Sequence, residues 1–144
     1  MIYYKFWSDY KHTPSEVESI NHLLSQLTSN PSPITAKKLD EVSKSSKILL
    51  AINSDNQIIG MATLALMNIP TGISGRLEDV VVDSNYRGQG IGTALIEKII
   101  DESKKLNLKK LDLTSKPERI EANKLYLKLN FSKYETNVYR MKFE

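Results

Sequence analysis

Apolar residues repeat along this chain with two different periods, and together these periods predict both helices and strands. Helical spacing appears first behind residues 13–16, Thr-Pro-Ser-Glu, which form a capping box with proline at the first helical position. The inward-facing residues predicted for this helix are Val17, Ile20, Leu24 and Leu27. Pro31 and Pro33 cannot continue it, and a second, shorter helix is predicted after Thr35.

Strand-like runs lie before, between and after the predicted helices. The predicted strands are 2–7, 47–52, 57–69, the Val-rich run ending at Val82, 108–114 and one or two strands within 131–143. The polar residues 54–56, Ser-Asp-Asn, are typical of the turn of an antiparallel hairpin. Residues 68–75 contain one proline and two glycines, so we expect a connection there that returns the chain to the Val-rich run.

Two more helices are predicted in the second half of the chain. The first opens from a glycine cluster and ends at Lys104 and Lys105, whose charges favour the negative end of the helix dipole. Its apolar stripe consists of Ile91, Leu95, Ile99 and Leu106, widened by Ile96 and Ile100. The second is predicted to begin at a capping box of Ser115 and Glu118 and to end at Asn130, a residue that tolerates a left-handed cap.

The length and composition are those of one soluble globular domain. The chain has 144 residues, 40% hydrophobic and 26% charged, so a single domain over residues 1–144 is expected to bury roughly two-thirds of its unfolded surface. The 20 basic and 17 acidic residues leave a net charge of +3. That excess is too small to indicate a nucleic-acid partner, and none is expected.

The residues that the sequence lacks exclude several kinds of site. Without cysteine, disulfides, thiolate metal sites and a cysteine nucleophile are impossible. The two histidines, His12 and His22, have no carboxylate cluster beside them, so no metal site is expected. The N-terminus has no signal-peptide pattern and no apolar run approaches ~20 residues, so a cytoplasmic protein without a membrane partner is expected.

Residues 77–93 carry the strongest chemical signal: a Val-rich strand, a short polar turn and a glycine cluster that opens into a helix. Gly88, Gly90 and Gly92 have no Cβ, so another group can approach the backbone closely. The first N–H groups of the helix lack intrahelical partners, and the helix dipole adds positive charge there. Such a helix start suits a phosphate group, although a tight turn alone would also use glycine.

Two motifs carry a resemblance to a known family. Residues 87–92, Arg-Gly-Gln-Gly-Ile-Gly, match the Arg/Gln-x-x-Gly-x-Gly/Ala pyrophosphate loop of the GNAT superfamily of N-acetyltransferases. Residues 123–131, Asn-Lys-Leu-Tyr-Leu-Lys-Leu-Asn-Phe, look like the Leu-Tyr-x-Lys-x-Gly-Phe helix end of that family. The resemblance implies an α/β GNAT fold, with a mixed, mostly antiparallel central sheet of about six or seven strands flanked by about four helices.

The resemblance implies that the chain binds acetyl-CoA as a co-substrate. In this family a bulge in the motif strand frees backbone groups for the pantetheine arm, and the loop after it holds the pyrophosphate. The residues implied for this binding are Val80, Val81 and Val82, then Arg87, Gly88, Gln89, Gly90, Ile91, Gly92 and Thr93, and finally Asn123 and Tyr126. The alternatives are core valines, a solvated surface Arg87 and an exposed polar Asn123.

The resemblance also implies transfer of the acetyl group to a primary amine by direct attack in a ternary complex, without a metal. Tyr126 matches the family's tyrosine that donates a proton or hydrogen bond to the leaving thiolate, and the alternative is a core tyrosine. Glu78 matches a position where several members place an acidic or histidine residue as the base, and the alternatives are a carboxylate paired with an arginine such as Arg76 or one that only orients the substrate. Strand alternation is expected to put Glu78 and Asp79 on opposite faces.

No motif identifies the acceptor, so small-molecule and protein amines both stay open. The acceptor side is expected to be lined by the two N-terminal helices, residues 68–76 and the closing strands around Glu135 and Tyr139. Homodimers are common in the family, and a homodimer is an open expectation for this chain.

Two residues depart from the family pattern. Arg119 stands where the family often has Asn, and Asn130 replaces the usual glycine before the phenylalanine.

Other classes of protein fit the sequence less well. A dinucleotide-binding unit needs Gly-x-Gly-x-x-Gly, but counted from Gly88 the last position is Thr93. A P-loop needs Gly-Lys-Ser/Thr, and none follows the glycines. The remaining alternative is a GNAT-fold sensor or interaction module that binds acetyl-CoA without catalysis.

Overall fold

The computed structural model, which describes residues 1–29 and 31–143, contains both strands and helices. The strands are β1 (Tyr3–Phe6), β2 (Ser46–Ile52), β3 (Ile58–Ile69), β4 (Gly72–Val82) and β5 (Leu111–Asp112). The helices are α1 (Pro14–Leu27), α2 (Ala36–Val42), α3 (Ile91–Lys105) and α4 (Ile120–Lys128). The chain forms two compact units, Met1–Leu113 and Thr114–Glu144. The single domain over residues 1–144 stays a prediction.

The first unit is built on one mixed sheet with the strand order β1, β2, β3, β4, β5. The first four strands pair antiparallel, and β5 pairs parallel with β4. The α/β class and the mostly antiparallel sheet are confirmed, but the described residues form five strands rather than six or seven. The hairpin predicted at residues 54–56 joins β2 to β3, with Asn56 in the left-handed region at φ 61°.

Local capping determines where the first two helices begin. At α1 the predicted capping box forms, and the backbone N–H of Thr13 donates to Oε1 of Glu16 at 3.0 Å. At α2 the hydroxyl of Thr35 accepts from the backbone N–H of Lys38 at 3.1 Å. These bonds satisfy N–H groups that have no partner within the helix. Leu27, predicted to face inward, is instead 39% exposed because it is the last residue of α1.

The core lies on both faces of the sheet. On one face α1 and α2 cover alternate residues of β2 and β3; the buried residues here include Trp7, Ile20, Leu23, Leu39, Ile48, Leu50 and Met61. On the other face α3 buries four residues of its predicted stripe, Ile91, Leu95, Ile96 and Ile99. Gly60 of β3 passes beneath α3, where a Cβ would lie 3.3 Å from the Leu95 side chain. The start of α3 is thereby held against the sheet.

The connection predicted at residues 68–75 is present, but it is shorter than predicted and consists of a tight hairpin turn at Pro70 and Thr71. β3 continues to Ile69, and β4 begins at Gly72, whose φ is 134°. The two strands then pair along most of their length. After this long hairpin, β4 ends at Val82, shortly before the glycine cluster.

The second unit begins with a turn instead of the predicted capping box. The backbone N–H of Arg119 donates to the carbonyl of Lys116 at 3.1 Å, with Pro117 at the turn position that proline favours. Ser115 therefore does not cap a helix, and α4 begins only after Arg119. Its end agrees with the prediction, since Asn130 lies in the left-handed region at φ 73°.

The closing strands predicted within 131–143 are also wrong, since none of these described residues forms a strand. The strand predicted at 108–114 is reduced to the two residues of β5. A strand requires the edge of a neighbouring strand, and a sequence pattern does not specify that edge.

Candidate active site

The β5 side of β4 is open at the end that leads into the glycine cluster. β4 and β5 pair only at Gly75 with Leu111 and at Arg76 with Asp112. Beyond Arg76, the described residues place no strand beside this edge of β4. Backbone N–H and C=O groups of an unpaired edge are free to bind an extended ligand. Among the three valines at this end, Val81 is buried, while Val80 and Val82 are partly exposed.

A β-bulge interrupts β4 just before the valines. Glu78 pairs with Thr63 and Val81 with Met61, so Asp79 and Val80 together oppose a single residue of β3. Asp79 has a left-handed φ of 50°. The bulge implied by the family resemblance is confirmed. The bulge shifts the two-residue period at this point, so simple alternation does not determine the faces of Glu78 and Asp79, and their placement on opposite faces stays a prediction.

The two carboxylates beside the bulge have different surroundings. Nε of Arg76 donates to Oε1 of Glu78 at 3.1 Å, which is the ion pair considered as the alternative for Glu78. Both side chains are partly exposed. The carboxyl group of Asp79 is partly buried although the residue as a whole is exposed; this desolvation, together with the nearby charge of Glu78, raises the pKa of Asp79. A carboxyl group with a raised pKa is better suited to accept a proton near neutral pH.

The loop from Arg87 to the start of α3 has the backbone conformation that its glycines permit. Gly88 and Gly90 both have φ 79°, and Gly90 is the N-cap of α3. A Cβ at either position would meet no atom within 4 Å, so the left-handed backbone, and not crowding, requires glycine here. The first backbone hydrogen bond of α3 runs from Ala94 to Gly90 at 3.0 Å. The N–H groups before Ala94 have no partner within the helix and can bind an anion.

Arg87 is exposed, but its side chain is anchored. Its Nε donates to the carbonyl of Val82 at 3.1 Å, which links the loop to the end of β4. The guanidinium therefore stays beside the glycine loop and adds positive charge there. This bond occupies the carbonyl oxygen of Val82, which is one of the backbone acceptors at the open end of β4.

A buried asparagine, which the sequence interpretation missed, supports the loop from behind. Asn53 is 5% exposed and donates from Nδ2 to the hydroxyl of Tyr86 at 3.0 Å. Its Oδ1 accepts from the backbone N–H groups of Asp55 and Gln57, which form the turn between β2 and β3. Asn53 thus ties that turn to the residue before Arg87. The sequence signal was a fourth polar residue, directly before the three of the predicted turn.

The motif helix α4 belongs to the second unit. Tyr126 is partly buried and contacts Phe131 edge to face, with ring centroids 5.9 Å apart. Asn123 donates from Nδ2 to the carbonyl of Lys116 at 3.0 Å, so it stabilises the turn before the helix. A cofactor contact by Asn123 and the catalytic role of Tyr126 stay predictions.

The histidines take part in interactions on the α1 side of the sheet. His12 stacks on Trp7 with ring centroids 3.3 Å apart, and His22 lies 3.6 Å from the carboxylate of Asp83. His22 and Asp83 line an open groove of about 1320 Å³ between α1 and the β2–β3 turn. Within the described part of the chain, no three potential ligands gather for a metal, and no helix is long and apolar enough to cross a membrane.

A helix start that can bind an anion lies beside the open edge of a mixed α/β sheet, and comparison with known proteins identifies the family. The model of the acetyltransferase (GNAT) family matches residues 7–131. The chain belongs to this family. Members of the family use acetyl-CoA.

Similar proteins agree with this assignment at the level of fold. A crystal structure of an acetyltransferase from Trypanosoma brucei is 26% identical, with a TM-score of 0.78, and the match covers 99% of this chain and 100% of that one. A predicted acetyltransferase from Clostridium acetobutylicum, solved with acetyl-CoA, is 20% identical over 98% of this chain and 96% of that one, with a TM-score of 0.72.

A curated relative, the uncharacterized protein YxbD of Bacillus subtilis, is 31% identical over 80 residues. That match covers 56% of this chain and spans 46% of the relative, about half of its length.

Proposed function

We propose that this protein transfers the acetyl group of acetyl-CoA to a primary amine by direct attack in a ternary complex. The observation that carries the proposal is the open edge of β4, which runs directly into the glycine loop at the start of α3. An extended arm that ends in a pyrophosphate needs this order of binding groups: free backbone first, then unpaired N–H groups at a helix start.

The chain's own residues fit acetyl-CoA in two parts. Main-chain groups of Val80, Val81 and Val82 would bind the pantetheine arm, with the bulge at Asp79 exposing them. Backbone N–H groups of residues 88–93 would hold the pyrophosphate, and the side chain of Arg87 would add a positive charge beside it. Gln89 and Thr93 lie in the same loop and helix turn, and Asn123 is proposed as a further contact.

The reaction requires a base and an acid from the protein. A protonated amine must lose a proton before its nitrogen can attack, and we assign that proton to the carboxylate of Glu78. Acetyl-CoA supplies an activated thioester. As the new C–N bond forms and the C–S bond breaks, the hydroxyl of Tyr126 donates a proton or hydrogen bond to the sulfur, and the nitrogen releases its second proton, which balances the proton taken up by the thiolate. The sequence contains no cysteine, which supports direct transfer without a cysteine-bound acyl intermediate.

A thiol-release assay with a panel of amines tests the proposal. The panel includes polyamines, amino sugars, aminoglycosides, amino acids and peptides with a free N-terminus. We expect release of CoA that depends on both acetyl-CoA and one class of amine, with mass spectrometry detecting the N-acetylated product. If acetyl-CoA binds but no amine in the panel releases thiol, the non-catalytic sensor is the better account.

A further inference from the structure

One side of β4 carries three polar residues in a row that ends at the bulge. Ser74, Arg76 and Glu78 stand at two-residue spacing, so their side chains lie on the same side of the sheet. Up to Glu78 the pairing with β3 is regular, and Glu78 lies opposite Thr63. Thr63 in turn pairs with Ile48, which belongs to the core beneath α1 and α2. The row therefore lies on the α1 and α2 side of the sheet and includes the carboxylate assigned as the base.

Arg76 is held in place while most of its hydrogen-bond donors are unused. Its Nε donates to Oε1 of Glu78 at 3.1 Å, and its side chain is 32% exposed. Toward the described residues, the two NH2 groups of its guanidinium donate no hydrogen bond. A guanidinium presents its donors as a planar fork that matches a carboxylate or a phosphate. The unused part of this fork can therefore bind an anion.

Ser74, at the other end of the row, has a buried hydroxyl without a partner. The residue is 5% exposed, and its Oγ forms no hydrogen bond within the described part of the chain. A buried hydroxyl is normally hydrogen-bonded, because leaving it unpaired is destabilising. Ser74 is about 7 Å along the strand from Arg76. An unused donor group thus lies on each side of the space beside Arg76 that an anion would occupy.

The charged residues around Arg76 form a neutral cluster. Asp112 is the register partner of Arg76 on β5, and its carboxylate lies 3.9 Å from Nζ of Lys110. Each carboxylate of the cluster thus has one cation. A polyamine, which brings only positive charge, would place a further cation beside Arg76 and be repelled. An acceptor with both an amine and an anionic group keeps the cluster neutral.

Building on the proposed function, we propose that the acceptor is a primary amine that carries a carboxylate or phosphate a few bonds from its nitrogen, and that Arg76 binds this anionic group. Residues two apart on a strand are separated by about 7 Å, so an anion at Arg76 leaves the amine within reach of Glu78. The anion also replaces Glu78 as the partner of Arg76. The Glu78 carboxylate is then free to take a proton from the ammonium group, and the neutral nitrogen attacks the thioester.

Thiol release with matched pairs of acceptors tests for the anionic group. The pairs are amino acids with two, three and four carbons against their amides, and O-phosphorylethanolamine against ethanolamine. Each pair keeps the amine and differs in the charge. We expect kcat/KM to be about 10-fold or more higher for the anionic member of at least one pair, as is usual for charge-assisted hydrogen bonds. The two kinds of pair distinguish carboxylate from phosphate. Equal or higher values for every uncharged member would overturn the proposal.

Variants test whether Arg76 is the group that binds the anion. Arg76→Gln should reduce the preference for the anionic member to about one, and Arg76→Lys should restore part of it because the charge returns without the fork. The readout is the ratio within one variant, since a change at the neighbouring base affects both members alike. Lys105→Gln, which removes one exposed positive charge from the end of α3, should leave the ratio unchanged. An unchanged ratio in Arg76→Gln would overturn the proposal.

Calorimetry makes the test independent of turnover. Protein with excess CoA, which has no acetyl group to transfer, is titrated with the same pairs. Tighter binding of an anionic member that is lost in Arg76→Gln supports the inference even if no amine releases thiol, and in that case only the proposed transfer fails. Equal affinity within every pair, or binding of none, overturns the inference, whereas thiol release with uncharged amines would still support the proposed function.

Discussion

Glu78 and Asp79 are adjacent carboxylates whose different surroundings make the assignment of the base testable. Arg76 pairs with Glu78, whereas burial raises the pKa of Asp79. If Glu78 is the base, Glu78→Gln should lower kcat about 100-fold, since general bases typically contribute factors of this order. Amine-dependent thiol release at saturating acetyl-CoA checks this result.

The control for this experiment is Glu97→Gln, which alters an exposed carboxylate on α3 and should leave kcat unchanged. An unchanged kcat in Glu78→Gln, with the loss seen instead in Asp79→Asn, would move the base to Asp79.

Tyr126 is predicted to act on the leaving thiolate and not on cofactor affinity. Replacing it by Phe removes the hydroxyl but keeps the ring that contacts Phe131. We therefore expect Tyr126→Phe to lower kcat by roughly 10-fold to 100-fold, with little change in the Kd of acetyl-CoA measured by calorimetry. Tyr134→Phe, at an 83% exposed tyrosine, is the matched control. Equal turnover in Tyr126→Phe would remove this residue as the acid.

The stability that the capping box of α1 provides is expected to depend on pH, because Glu16 is a titratable member of it. Burial alone would raise its pKa, but hydrogen bonds from Tyr10, His12 and both the backbone and hydroxyl of Thr13 outweigh burial and lower the pKa. An acid with a lowered pKa in the folded state adds stability above its ordinary value of 4.5, and this stability is lost as the pH falls through the folded pKa.

Glu16→Gln is therefore expected to lower the free energy of unfolding at pH 7 by about 1 kcal/mol, the usual loss for a helix cap. The difference from wild type should shrink as the pH falls below 4.5. Urea denaturation at several pH values measures it. Glu18→Gln, on the same helix but exposed, should cost little at any pH, and a pH-independent loss for Glu16→Gln would contradict the linkage.

Among the elements, those determined by local chemistry could be predicted from the sequence. The capping box of Thr13, the cap of Thr35 and the turn at Asn56 each depend on residues within a few positions, and all three are present. The stripe of α3 was predictable because it repeats over four turns. The start of α4 was not, because Pro117 supports either a helix start or a turn, and the turn forms.

Elements that depend on distant partners could be predicted less well. The resemblance to the family implied a bulge in the motif strand, but its position at Asp79 follows only from the register with β3. Strands were predicted within residues 131–143, but the edge on which such a strand forms is not encoded nearby. Asn53 was missed because its bond to Tyr86 spans 33 positions in the sequence.

The start of α3 gives a prediction that belongs to this element. Gly90 has φ 79° with open space around it, so Gly90→Ala costs only backbone strain, about 1–2 kcal/mol. We expect a lower melting temperature and weaker acetyl-CoA binding, since the strain falls on the N–H groups that would hold the pyrophosphate. Gly92→Ala is the matched control. Its Cβ would lie 3.7 Å from Val82, an ordinary contact, and alanine favours a helix, so stability should be kept. Equal losses in both variants would contradict the assigned backbone role.

At the scale of the whole molecule, the open edge of β4 organises the account. This edge lies beside the glycine loop and is assigned to the cofactor.

The central claim, that this chain binds acetyl-CoA as an acetyltransferase, is tested most directly by thermal unfolding with added ligands. A ligand that binds only the folded state stabilises it by about 2.7 kcal/mol at 100 times its Kd. We predict that acetyl-CoA raises the melting temperature in a concentration-dependent way, whereas NADH, ATP and duplex DNA leave it unchanged. No shift at millimolar acetyl-CoA, or an equal shift with NADH, would contradict the account.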